Sequence, residues 1–100
     1  MTGSQAGADA GRLVLAEVAR TTGVEGEIRS VETVSFGWVV YWAPVSAGGG
    51  RARPGGNGPF LVDRESGRVI SGGSGVPVAR RVAEYERRLR RVAARAREGG

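Results

Sequence analysis

The run Trp38-Val39-Val40-Tyr41-Trp42 constrains this chain more than any other feature. Its five consecutive residues are all aromatic or β-branched, and Pro44 ends the run, which reads as a β-strand. Alternation puts Trp38, Val40 and Trp42 on one face and Val39 and Tyr41 on the other. Both faces are apolar, so the strand belongs inside a sheet rather than at its edge. The chain has 100 residues, which is the size of one domain with one modest core and no second lobe. The two Trp are therefore the main packing mass of the fold, and both are expected to be largely buried.

The other elements follow from spacing and turn residues. Glu27 to Phe36, with Ile28, Val31 and Val34, is a strand joined to the aromatic one near Ser35 to Gly37. Pro59 to Arg64 and Arg68 to Ser71 form a hairpin about Glu65-Ser66-Gly67, where Gly suits the turn. Gly11 to Arg20, N-capped by Asp9 and stopped at Thr21-Thr22-Gly23, is a short amphipathic helix. Pro77 opens a long one, whose stripe Val78, Val82, Tyr85, Leu89, Val92 and Ala96 recurs at steps of four and three. That stripe thins after Leu89, so the first half is expected to dock on the sheet and the second to project. The expected fold is α+β, with a short N-terminal helix, a four-stranded, mostly antiparallel sheet and a long C-terminal amphipathic helix packed on the sheet. Its expected divisions are a disordered tail over 1–8, one domain over 9–90 containing a flexible Gly/Arg loop at 46–58, and an Arg-rich frayed tail over 91–100. The expected core is Leu13, Val18, Ile28, Val31, Trp38, Val40, Trp42, Phe60, Val62, Val69, Val82, Tyr85 and Leu89.

Inventory narrows the chemistry. The chain has no His, no Cys and no Lys, which excludes thiolate and imidazole metal sites, Ser-His and Cys-His nucleophile pairs, Schiff bases and the Walker lysine. No catalytic residue, cofactor or metal is expected. Asp63 and Glu65 flank the hairpin turn, where they are expected only to shape and solvate it. The Gly-rich stretches at 48–58 and 72–75 match no nucleotide fingerprint. No stretch is apolar for long enough to span a bilayer or act as a secretion signal, and the lack of disulfides fits a reducing compartment, so a cytoplasmic protein is expected.

All fifteen basic residues are Arg, a bias that GC-rich coding also produces. Their distribution is more informative: Met1 to Pro77 is balanced, whereas Val78 to Gly100 holds eight Arg and three acids, so the net +5 sits there. Glu84 and Glu86, each four residues before Arg88 and Arg90, predict ion pairs on a solvated helix face. A nucleic-acid face using these arginines is the less favoured reading, and the seam is too short to favour a coiled coil. A monomer or weak homodimer is expected.

One resemblance adds to this. Phe36-Gly37-Trp38-Val39 in the aromatic strand, Gly58-Pro59 followed by Val62-Asp63, Ser66-Gly67, Gly73-Ser74 and Tyr85-Glu86 resemble the immunity protein 35 family, also called YrhB-like. The similarity covers about Leu13 to Glu86. The chain departs from the family pattern in Gly73-Ser74, where Gly-Thr is expected, in its long Gly/Arg loop and in its Arg-rich tail. The resemblance implies a non-enzymatic protein that neutralises a cognate bacterial polymorphic toxin by direct binding. An accessory or folding-helper subunit for a neighbouring enzyme is the alternative. The partner is expected to present an acidic surface to Arg51, Arg53 and Asn57 of the loop, because binding residues concentrate on loops above a rigid scaffold.

Overall fold

The computed structural model describes residues 2–45, 58–71 and 76–99. Helix α1 spans Thr2–Thr22, followed by strands β1 (Gly26–Val34), β2 (Gly37–Pro44), β3 (Phe60–Asp63) and β4 (Val69–Ser71), then helix α2 (Val78–Gly99). The strands form one antiparallel sheet in the order β1-β2-β3-β4. This is the expected α+β arrangement. Each strand pairs with its neighbour in sequence, with Ser35 and Phe36 turning between Val34 and Gly37. A bulge between Ile28 and Ser30 breaks the β1–β2 register. The aromatic strand β2 is interior, as its two apolar faces require.

Those faces carry two separate cores. Val40, Trp42 and Val62 pack against Ala10, Val14 and Val18 of α1 on one side. Phe36, Val39 and Leu61 pack under Val78, Val82, Tyr85 and Leu89 of α2 on the other. The sheet is thus covered by a helix on each face.

Helix α1 differs from expectation in length and in phase. It runs from Thr2 rather than from the expected start near Gly11, so residues read as a disordered tail are helical. Asp9, read as the N-cap, lies within the helix and pairs with Arg12. Small residues explain this. Gly7 and Gly11 are buried, and Gly11 lies so close to Ile28 that an added Cβ would stand 3.1 Å from its Cγ1. Gly and Ala bury little area themselves, but they let the helix backbone settle onto the sheet, where Val14 and Val18 are sealed. The buried stripe is Gly7, Ala10, Gly11, Val14 and Val18, so Leu13, expected in the core, is 44% exposed.

Two further corrections concern the core. Val31 is 36% exposed on the edge strand, where no neighbouring strand covers it. Phe36, Val39 and Leu61, absent from the expected core, are buried beneath α2. At the C-terminus, α2 continues to Gly99 through the segment expected to fray. Its stripe does leave the sheet beyond Leu89, as expected, and Val92 is 59% exposed.

Of the two Trp, Trp42 is buried at 7% exposure and donates its indole Nε1–H to the Gly58 carbonyl at 3.1 Å, pinning the start of the segment that leads into β3. Trp38 is only half-buried, with the Arg64 guanidinium 5.3 Å over its ring, a cation–π placement. No described helix is long and apolar enough to cross a membrane.

Candidate functional site

The two hairpin turns, β1–β2 and β3–β4, lie at the same end of the sheet because Gly37 pairs with Asp63. The approach there is close. A Cβ on Gly37 would stand 2.0 Å from the Val62 carbonyl oxygen, and the Arg64 amide donates to the Phe36 carbonyl at 2.9 Å. Only Gly fits that position. The second turn closes as the Asp63 amide donates to the Arg68 carbonyl and the Gly67 amide to the Asp63 carbonyl, with Gly67 at φ 74°, a left-handed conformation.

Asp63 is the buried charge of this junction, at 6% exposure. Its Oδ1 accepts from the backbone amides of Glu65 at 2.8 Å and Ser66 at 3.1 Å, and its Oδ2 accepts from the Tyr85 hydroxyl at 2.6 Å. Burial pushes this carboxyl up. The Tyr85 hydroxyl and the turn amides outweigh burial and hold it below its ordinary value. Tyr85 moves the other way, to about 12, through burial first and then its bond to the Asp63 carboxylate, with Arg68 and Arg88 opposing. At neutral pH the pair is a carboxylate and a protonated phenol, and three donors occupy the carboxylate. It works as a tether between the sheet and α2. Asp63 was expected only to shape its turn; it also holds the helix.

One residue further along α2, the Glu86 carboxylate accepts from the Ser35 hydroxyl at 2.5 Å. This replaces the expected pair with Arg90. Among the described residues, neither Glu84–Arg88 nor Glu86–Arg90 forms an ion pair. Between the two turns and α2 opens a cleft of about 450 Å³. Phe36 and Leu89 give it apolar lining, and Arg64, Glu65, Glu86 and Arg90 give it charge of both signs.

No family model, curated protein or solved structure matches this chain.

The residues singled out from the sequence divide in two. Gly37, Trp38, Val62, Asp63, Gly67, Tyr85 and Glu86 converge on the junction, while Trp42, Gly58 and Pro59 meet where β3 begins. Arg51, Arg53 and Asn57, the expected partner contacts, lie outside the described residues, as do Gly73 and Ser74. Three features were not anticipated: the Ser35–Glu86 bond, the Arg64–Trp38 stack and the cleft. The sequence did carry one hint of the tether, in that Val62-Asp63 and Tyr85-Glu86 were both singled out, but pairing them needs the three-dimensional path of α2. No acidic, His or Cys cluster suited to a metal occurs among the described residues.

Proposed function

We propose that this protein is an immunity protein that neutralises a cognate bacterial toxin by direct binding in the cytoplasm of the producing cell. One observation carries the reading. Among the described residues, several that resemble the immunity protein 35 family make contact across the chain, Gly37 against Val62 and Asp63 to Tyr85, and Gly58 of the same set accepts from Trp42. A set of dispersed residues that meets at the two ends of β3 is what a shared scaffold requires, and such a scaffold leaves its surface free to vary with the partner. Arg51, Arg53 and Asn57 are the proposed specificity contacts.

The test is co-expression with the product of the adjacent gene. The reading expects that product to arrest growth alone, growth to return on co-expression, and the two proteins to co-elute as one complex. A harmless neighbour that gains solubility or activity in the complex points to an accessory subunit instead. Absence of both rescue and complex overturns the proposal.

A further inference from the structure

We infer that the overhanging half of α2 is a docking surface for an acidic amphipathic helix of a partner protein. This rests on the partner-binding reading and names the chemistry of the contact. The stripe Val78, Val82, Tyr85, Leu89, Val92, Ala96 keeps the four-and-three spacing of a heptad seam throughout. Its first four members pack over Phe36, Val39 and Leu61. Val92 and Ala96 are exposed, so the seam runs on past the sheet with no cover from the described residues.

Charge identifies the occupant. From Arg87 to Glu98 the helix carries six arginines against one glutamate, which equals the +5 of the whole chain. Arg87, Arg88, Arg90, Arg91, Arg95 and Arg97 are all exposed, and none makes an ion pair among the described residues. Arginines at steps of three and four repel one another on a helix. Arg88 and Arg95 immediately precede the seam positions Leu89 and Ala96, the place from which a coiled-coil helix pairs with charges on its partner. A partner helix with Glu or Asp beside its own apolar stripe satisfies both features at once. The small side chains Val92 and Ala96 let the two axes approach closely. A second copy of this chain does not fit, because it sets arginine against arginine. Phosphates attract the arginines but gain nothing from an apolar seam.

The experiment uses the full chain and fluorescence anisotropy at physiological salt. The probe is a synthetic helical peptide about three heptads long, with a Leu/Ala seam flanked by Glu. Its controls are a peptide of the same composition with the seam scrambled, and a short DNA duplex. The seam peptide should bind, and each control should bind at least about tenfold more weakly. Arg88→Glu/Arg95→Glu and Val92→Asp, all at exposed positions, should each weaken the seam peptide about tenfold or more while circular dichroism stays unchanged. No binding of the seam peptide, equal binding of the scrambled peptide, tighter binding of the duplex, or an unaffected variant overturns the inference. The probe is independent of any toxin, so failed growth rescue sinks the immunity reading alone, and a failed peptide experiment sinks this one alone.

Discussion

Asp63 and Tyr85 share one hydrogen bond whose two partners titrate at opposite ends of the pH range. The carboxyl is held below its ordinary value in the folded state, so its contribution is present above the unfolded value of about 4 and lost as pH falls through the folded one. The phenol is raised from about 10 to about 12, so its contribution is complete below pH 10 and disappears as pH climbs through 12. Tyr85→Phe should therefore flatten the alkaline limb of a stability-versus-pH curve measured by urea denaturation. At neutral pH it should cost about 1.5–3 kcal/mol, the range for a hydrogen bond to a charged group. A Phe variant as stable as wild type, with the alkaline limb unchanged, would show that the tether contributes nothing. Gly37→Ala is harsher. Backbone lies 2.0 Å from the added carbon, so a loss beyond about 3 kcal/mol is expected, at the upper end of overpacking costs, and thermal denaturation monitored by Trp fluorescence checks it.

The two helices show what a sequence discloses about its elements and what it conceals. Helix α2 was legible because its stripe consists of large side chains at regular intervals, and the point at which it leaves the sheet was marked by the change to Val and Ala. Helix α1 was half legible. Its contact face is made largely of Gly and Ala, which an apolar-periodicity reading does not count, and that reading places Leu13 in the core instead. A direct comparison checks the corrected phase: Val14→Ala should cost about 2–3 kcal/mol as a buried truncation, whereas Leu13→Ala should cost less than about 1 kcal/mol. Equal losses would restore the earlier phase. Truncating α2 after Arg90 should change stability by no more than about 0.5 kcal/mol, because the removed turns add nothing to either core. A larger loss, measured by chemical denaturation, would mean that the overhang supports the fold.

The four-stranded sheet and its order were readable from turns and alternation, because each connection within the two hairpins is short. The junction was not. Ser35 and Glu86 are separated by 51 positions, and Asp63 and Tyr85 by 22, and no local pattern links such distant residues. The molecule as a whole is elongated. Its radius of gyration is 15.0 Å over extents of 56 × 34 × 22 Å, above the roughly 13 Å of a compact chain this long.

The sequential strand order also dictates when each part of the molecule can form. During synthesis α1 and the β1–β2 hairpin emerge before the other described elements and can begin to close one face, which β3 completes with Val62 on a sheet whose template already exists. Helix α2 emerges last, so until then Phe36, Val39 and Leu61 remain open to solvent. The rate-limiting step should therefore involve the first face and not the second. Val40→Ala is expected to slow folding with a φ-value near the upper, structured range of about 0.5–0.8, while Leu89→Ala mainly speeds unfolding, with a φ-value of about 0–0.3. Stopped-flow chevrons that reverse this order would show that α2 docks early. With the expected order, the nascent chain carries an apolar face that stays exposed until α2 has emerged, and the bond between Tyr85 and Asp63 fastens that cover in place.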